Sequence, residues 1–259
     1  MTGRNDKPEK LHQFIGSLFT CSSVQFLASL TCVIPCRTPR TIFAAMNKAI
    51  ADIRKEYTSE TLLETDVEAD PIQQFQKWWD QVIASETLEP NAMTLSTASA
   101  DGLPSGRIVL LKGFDEKGFV FFTNYKSYKG EQLAENPKAC LLFFWKELER
   151  QVRIIGLVSK LSDAENDEYF QSRPVGSRIG AWASPQSTII ENRNWLEKEV
   201  EKREEEFSDG RVPRPPHWGG YCVKPVIIEF WQGRSSRLHD RIQYSLEEAG
   251  SWKIERLAP

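Results

Sequence analysis

The sequence predicts a mostly β fold with peripheral helices, an α+β chain whose strands form a closed or nearly closed antiparallel barrel. Short runs rich in β-branched and aromatic residues, such as Arg107 to Lys112 and Ala139 to Trp145, recur from residue 92 almost to the C-terminus. Such residues suit a pleated, half-buried surface. Turn formers separate neighbouring runs, as at Asp101-Gly102 and Glu116-Lys117-Gly118. Helical spacing is confined to a few segments instead of following every strand. The 259 residues are 40% hydrophobic and 11% aromatic, enough to bury a substantial core.

Asp70-Pro71 sets an N-cap before a proline at the first helical position, and Phe75, Trp78, Trp79 and Val82 follow at helical spacing. A helix from about Pro71 to Ser85 is predicted. Strands are predicted over Ala92 to Ala98, Ser105 to Lys112 and Phe119 to Thr123. A short helix from Tyr128 ends before Asn136-Pro137, because the residue ahead of a proline disfavours helical backbone. Strands resume at Ala139 to Trp145 and Arg150 to Lys160. Ser162 and Glu165 have the spacing of a capping box, for a helix reaching roughly Ser172. Glu191 to Phe207 reads as a charged surface helix with Leu196, Val200 and Phe207 on one face. Arg211 to His217, with three prolines, is a stiff connector. Tyr221 to Val223, Val226 to Trp231, Arg237 to Leu246 and Ser251 to Leu257 complete the strands.

A net charge of −3 and the acidic stretch from Glu199 to Asp209 argue against a nucleic-acid or anionic-membrane surface. Five cysteines include no Cys-x-x-Cys pair, and the odd count gives no disulfide framework, so a reducing compartment is the default. With only His12, His217 and His239, no histidine-rich metal site is expected. Leu11 to Cys36 carries no Asp, Glu, Lys or Arg, and no acid follows until Asp52. Low acidity with Ser, Thr and Arg suits an organellar transit peptide or a disordered extension. Polar residues such as Gln13, Ser17 and Gln25 interrupt its apolar content, so stable membrane insertion is not expected. Residues 1–50 therefore read as an extension, which a second start at Met46 would remove, and residues 51–259 as one domain. A cytoplasmic location is expected, with a mitochondrial address left open by the extension.

Two clusters carry chemistry. Arg237-Leu238-His239-Asp240-Arg241 reads as a strand on which Arg237, His239 and Arg241 share a face, with Trp231 upstream as a flat wall. Two fixed charges and an imidazole on one face suit an anionic, planar ligand; a solvated strand face is the plainer alternative. The upstream cluster is Arg107-Ile108-Val109-Leu110-Leu111-Lys112, followed by Phe121-Phe122-Thr123-Asn124 and Lys126-Ser127-Tyr128-Lys129. Hydroxyls, backbone N–H groups and lysines gather there where a strand enters a helix, which suits a phosphate. Despite 15 glycines there is no Gly-x-Gly-x-x-Gly or P-loop pattern, so side chains must do most of the holding. Tyr169, Arg173 and Ser177 recur every four residues, and Pro174 ends the helix near Arg173. An arginine there also serves as an ordinary C-terminal helix cation.

These stretches occur with Arg150-Gln151-Val152-Arg153, Ile179-Gly180-Ala181-Trp182, Gln186-Ser187, Trp218-Gly219-Gly220-Tyr221, Glu229-Phe230-Trp231-Gln232-Gly233 and the closing Glu255-Arg256-Leu257-Ala258-Pro259. Together they make the chain from about Ile53 to Pro259 resemble the pyridoxine (pyridoxamine) 5'-phosphate oxidase family. The resemblance implies an FMN-binding split barrel and a homodimer with FMN at the subunit interface. It implies oxidation of pyridoxine 5'-phosphate and pyridoxamine 5'-phosphate to pyridoxal 5'-phosphate, with O2 as acceptor. Hydrogen peroxide, and ammonia from the amine, are the by-products, in vitamin B6 cofactor synthesis and salvage. Carried onto this sequence, it implies that Arg107, Ile108, Val109, Leu110, Phe122, Thr123, Ser127, Lys129, Gln151, Gln186, Ser187, Trp231 and Arg241 hold FMN. Arg54, Tyr57, Lys112, Tyr169, Arg173, Ser177, Arg237, Leu238 and His239 would bind the substrate, with Arg237 and His239 catalytic. Whether His239 is a general base or a packing wall stays open.

Tyr128 stands where the family usually has arginine. A phenol donates one neutral hydrogen bond and supplies no charge, so weaker FMN binding than with arginine is expected, with Lys126 as a partial substitute. Two other classes compete. A split-barrel flavoprotein with another substrate, or a non-catalytic role, is disfavoured by the joint presence of Lys112, Tyr169, Arg173, Ser177, Arg237 and His239. A nucleic-acid-binding barrel with interleaved aromatics and cations is disfavoured by the acidic balance.

Overall fold

In the computed structural model, Ile53, residues 55–58 and residues 60–259 are described. Arg54, the extension expected over residues 1–50 and its boundary with the domain lie outside the described residues. Short connections leave successive strands little choice but to pair antiparallel. The strands are β1 (Ala92–Ala98), β2 (Pro104–Leu110), β3 (Gly113–Asp115), β4 (Gly118–Asn124) and β5 (Lys138–Trp145), then β6 (Arg150–Lys160), β7 (Trp218–Gln232), β8 (Asp240–Leu246) and β9 (Trp252–Arg256). They form one antiparallel sheet in the order β2-β1-β5-β6-β7-β4-β3, with β8 joined to β7 and β9 to β8.

The ends of that order are neighbours in sequence, because only Leu111 and Lys112 separate β2 from β3. The Leu111 N–H donates to Asn91 O and the Lys112 N–H to Val120 O, each at 2.8 Å. The sheet must therefore curl until its edges approach, which gives the expected barrel-like architecture.

β7 departs from expectation, since the two strands foreseen over Tyr221 to Val223 and Val226 to Trp231 are one strand of 15 residues. Pro225, which has no N–H to give a ladder, pairs with Gly156 where the β6–β7 register shifts. A bulge is where a central strand tolerates a proline. One edge of β7 pairs with β6 along Tyr221 to Gln232, while the other is shared by β4 and β8 in turn.

The core forms where α1 (Pro71–Ala84) plugs the curl. The Asp70 carboxylate caps it by accepting the Ile72 and Gln73 N–H groups at 2.6 and 3.2 Å. Its apolar stripe buries Phe75, Trp78 and Val82. The Phe75 ring lies 4.8, 4.9 and 5.3 Å from those of Phe114, Phe119 and Phe143, an aromatic cluster that stabilises beyond its area burial. Cys140 and Cys222 are free thiols, as expected.

The remaining helices position the site. α2 (Tyr128–Glu135) begins at its Ser127 cap, and α3 (Asp163–Ser172) opens with the expected Ser162–Glu165 capping box. α4 (Val175–Ala183) was not foreseen, because Pro174 reads as the end of α3 and also serves as the N-cap of α4. α5 (Arg193–Glu206) starts two residues later than expected because Asn192 caps it. No helix among the described residues is long and apolar enough to cross a membrane.

Gly130 in α2 is required by a close approach, since a Cβ there would lie 2.2 Å from the Tyr125 carbonyl oxygen. We expect Gly130→Ala to destabilise the protein by about 1–3 kcal/mol through overpacking, despite the higher helix propensity of alanine. Equilibrium denaturation measures this, and an unchanged midpoint would contradict the packing at this turn.

Candidate active site

A cleft of about 780 Å³ opens between β2, β4, α3, α4 and the start of α2. Its wall includes Arg107, Ile108, Val109, Leu110, Lys112, Phe122, Thr123, Lys129, Tyr169, Arg173, Ser177 and Gln186. Twelve residues proposed from sequence for two different ligands thus meet in one cavity. Asn124, Pro174, Gly180, Ala181, Ser184 and Trp218 complete the lining, and no Asp or Glu belongs to it.

Three of the four cations in the cleft, Arg107, Lys129 and Arg173, rest on neutral groups. Arg107 donates from Nη1 to Leu95 O at 3.2 Å and Thr97 Oγ1 at 2.6 Å, and from Nη2 to Ser105 Oγ at 2.5 Å. Lys129 Nζ donates to Thr123 Oγ1, Ser127 Oγ and Gln186 Oε1 at 3.2, 3.3 and 3.2 Å. The Arg173 guanidinium lies 4.6 Å from the Trp218 ring centre and 5.6 Å from that of Phe170. Its Nη1 is buried with no hydrogen-bond partner. Among the described residues no carboxylate pairs with Arg107, Lys112, Lys129 or Arg173.

Burial pushes the pKa of Arg107, Lys129 and Arg173 below their ordinary values, and the Arg107 charge lowers Lys129 further. Charges gathered in this way stay unfavourable until an anion arrives. The Lys129 ammonium lies near the Arg107 charge, with Thr123 and Gln186 beside it, and Lys112, Tyr169, Arg173 and Ser177 line the same cleft. Flat rings form part of the lining. Phe122 stacks on Tyr169 at 3.8 Å and on Trp218 at 5.3 Å, with interplanar angles of 17° and 13°.

The other predicted residues do not line this cleft. Ser127 is fully buried, and its hydroxyl donates to Asn124 O while accepting the Gly130 N–H. Ser187 follows Gln186 in a left-handed conformation, with φ 72°. Tyr128 is about half exposed at the first position of α2, and its hydroxyl group is close enough to influence the Arg107 charge.

Gln151, Trp231 and Arg241 stand side by side across β6, β7 and β8. Arg241 donates from Nε to Glu229 Oε1 and from Nη1 to Ala258 O, each at 2.8 Å. Burial would raise the Glu229 pKa, but hydrogen bonds from Arg241 and Arg153 outweigh it and hold the carboxyl below its ordinary value.

One expectation is corrected. Arg237 and His239 do not alternate with Arg241 along a strand, because Ser235–Arg237 is a 3-10 turn and β8 begins at Asp240. Ser236 and Arg237 adopt φ of 55° and 62°, a left-handed geometry that turns the chain. The turn is closed by the Arg234 N–H donating to His239 Nδ1 at 3.1 Å. His239 then packs 4.5 Å from Trp231 and 6.0 Å from Tyr57, between ring centres. Arg237 and Leu238 stay exposed. Gly233 is needed beside them, as a Cβ would come within 2.8 Å of the Tyr57 ring.

Sequence reasoning missed Trp218 as the surface on which Arg173 rests, although Trp218-Gly219-Gly220-Tyr221 stood out as a motif. It also missed Thr97, Ser105 and Gln132 behind Arg107, which carry no signal as isolated polar residues.

A model of the pyridoxamine 5'-phosphate oxidase family matches residues 80–206, and one of the pyridoxine 5'-phosphate oxidase C-terminal dimerisation region matches residues 218–259. A pyridoxine/pyridoxamine 5'-phosphate oxidase from Nostoc punctiforme is 58% identical over 214 residues, 83% of this chain and 100% of that protein. The chain belongs to the pyridoxine/pyridoxamine 5'-phosphate oxidase family. A family relative from Cupriavidus necator is 55% identical over 210 residues, 81% of this chain and 99% of its own. Among solved structures, PhzG from Burkholderia lata 383, in complex with tetrahydrophenazine-1-carboxylic acid, superposes with a TM-score of 0.72 at 32% identity. That match covers 78% of this chain and 100% of PhzG. A pyridoxamine 5'-phosphate oxidase-related, FMN-binding protein from Nostoc punctiforme has a TM-score of 0.58 at 18% identity, covering 74% of this chain and 100% of that one, and bears on the fold alone.

Burial, and then the Arg237 charge, lower the His239 pKa below its ordinary 6.5, against an opposing pull from Asp240. Protonating Nδ1 would also remove the acceptor for the Arg234 N–H. The stability this contributes is present above the unfolded pKa and lost as pH falls through the lowered folded value. We expect His239 ring protons to titrate below pH 6.5 in an NMR titration, and titration above it would contradict this geometry.

Proposed function

We propose that this family member is an FMN-dependent oxidase of pyridoxine 5'-phosphate and pyridoxamine 5'-phosphate, working as a homodimer with FMN at the interface. The product is pyridoxal 5'-phosphate and O2 is the acceptor; with the amine, one water is consumed and ammonia released. The observation that carries this reading is a cleft with Arg107, Lys112, Lys129 and Arg173 and no carboxylate. Two phosphorylated ring compounds would supply the missing negative charge, and the unpartnered Arg173 Nη1 fits such an acceptor.

In this reading Arg107 and Lys129 hold the FMN phosphate, with Thr123 and Gln186 orienting the lysine. Lys112, Arg173, Ser177 and Tyr169 hold the substrate phosphate. FMN held by these residues would supply a hydride acceptor for the substrate C4' carbon and a route for the electrons to O2, giving H2O2. Holding the substrate by its phosphate would turn an encounter into an oriented pair. Arg237 would orient the ring and stabilise charge as hydride leaves. A neutral His239, with Nδ1 occupied by the Arg234 N–H, serves best as a ring wall. Tyr128, beside Arg107, would leave the FMN phosphate one guanidinium short.

The second copy is supported by an exposed apolar face. Ile108 and Phe144 are 65% and 54% exposed, and Leu110 is also exposed. Cross-strand pairing joins Ile108 to Thr94, Thr94 to Leu142, and Phe144 to Gln151, and Gln151 to Trp231. Residues paired in this way share a face, so the apolar surface runs from the cleft to the Trp231 group. Ile108 and Leu110 belong to both the face and the cleft. A second copy seated on this surface would roof the cleft and bring its own Gln151, Trp231, Arg237, His239 and Arg241 to it, as the match to a dimerisation region over residues 218–259 supports. A flavoprotein with a different substrate is the rival; it would have no use for Lys112, Tyr169, Arg173 and Ser177 in one cleft.

FMN-loaded protein should convert both phosphorylated substrates to pyridoxal 5'-phosphate with stoichiometric H2O2. Unphosphorylated pyridoxine should be at least about a hundredfold poorer in kcat/KM, because a charge-assisted contact is lost. Arg237→Ala should lower kcat/KM by about a hundredfold with FMN retained. Equal turnover of pyridoxine and its phosphate would sink the substrate assignment, and loss of flavin from Arg237→Ala would misplace Arg237.

A further inference from the structure

Behind Arg107 lies a buried relay that the reaction does not explain. Gln132 on α2 is 2% exposed. Its Oε1 accepts from Thr97 Oγ1 at 2.5 Å and from Ser105 Oγ at 2.7 Å. The same two hydroxyls accept the Arg107 Nη1 and Nη2 hydrogens. A hydroxyl has one hydrogen to give. Each accepts from the guanidinium and points its own hydrogen at the Gln132 oxygen. The Gln132 Nε2 is left buried and without a partner. An unmade bond of this kind is costly, so the oxygen is what the position is built around.

The relay has a second consequence. α2 carries Lys129 in its first turn and Gln132 one turn later. One rigid helix therefore holds one cation of the corner directly and the other through three neutral side chains. A carboxylate at residue 132 could accept the same two hydroxyl hydrogens. It would also place a negative charge behind Arg107 and compete with the ligand.

We propose that Gln132 is a positioning residue for the anion corner: through Thr97 and Ser105 it sets the aim of Arg107 relative to Lys129 while leaving the charge of both uncompensated. This rests on the reading that the corner receives the FMN phosphate. Its effect must therefore appear as selectivity for a phosphorylated flavin over the same flavin without phosphate.

The test titrates full-length apoprotein with FMN and, separately, with riboflavin, following flavin fluorescence. For Gln132→Met, which keeps the bulk and removes the acceptor, we expect FMN affinity to fall about tenfold and riboflavin affinity to change less than about twofold. Gln132→Glu, which keeps both acceptor bonds, should likewise lose FMN affinity selectively. In an Arg107→Met background, Gln132→Met should cost no further FMN affinity. Equal losses for FMN and riboflavin, unchanged FMN affinity in Gln132→Glu, or additive losses in the Arg107→Met background would each overturn the proposal and leave Gln132 a packing residue. Should Gln132→Met fail to fold, Gln132→Asn, whose amide is too short to reach both hydroxyls, takes its place with the same expected outcomes. Wild-type apoprotein that binds FMN and riboflavin alike would instead overturn the phosphate corner itself, and this inference with it.

Discussion

Positive charge without local compensation is the constraint on which the rest of the structure depends. A partly buried cation is stable when paired or hydrogen-bonded, and costs free energy when neither. Elsewhere this chain pairs its arginines in the usual way: Arg150 with Glu60 at 2.5 Å, Arg214 with Asp163 and Asp167 at 2.8 and 2.6 Å, Arg256 with Glu64 and Asp240 at 2.6 and 2.8 Å. In the cleft the partners are hydroxyls, a backbone carbonyl, an amide and aromatic faces. Those partners satisfy donors and fix geometry without cancelling charge, so the cleft keeps its attraction for anions.

The fold delivers these side chains because the curl of the sheet leaves them nowhere else to go. β2 opens the strand order and β4 stands next to last in it, yet the two approach at the two-residue link of Leu111 and Lys112. That closure sets Arg107 and Lys112 from one strand and its exit against Phe122 and Thr123 from the other. α2 follows β4 directly and adds Lys129, while the break at Pro174 lets α3 and α4 present Tyr169, Arg173 and Ser177 from adjoining ends. Packing of α1 into the curl holds the far side rigid. The site is a consequence of topology first and of individual residues second.

Much of this was legible in the sequence, for reasons that differ by element. α1 and α3 announce themselves through local signals, the Asp70 cap and the Ser162–Glu165 capping box, which depend on no tertiary contact. β1 and β6 were placed to the residue. α4 was hidden by Pro174, since one residue both ends a helix and begins another. The unity of β7 was hidden by Pro225, which sits where the β6–β7 register shifts and β7 carries one extra residue, Val226. The turn at Ser236 and Arg237 needed left-handed φ at residues other than glycine, which composition does not disclose. In the site, charged and aromatic residues were found by type, whereas Thr97, Ser105 and Gln132 were not, because their meaning lies only in whom they touch.

In the proposed function, the cation-lined cleft of one copy and the Trp231–His239 group of a second copy complete one site. The most direct measurement mixes two strongly impaired variants, Arg173→Ala and Arg237→Ala, after dissociating and reassociating the subunits. In a symmetric dimer with shared sites, half of a random mixture is heterodimer, and each heterodimer rebuilds one intact site. About a quarter of wild-type turnover with pyridoxine 5'-phosphate should then return. If each subunit carried its own complete site, mixing would restore nothing, and that result would contradict the shared site.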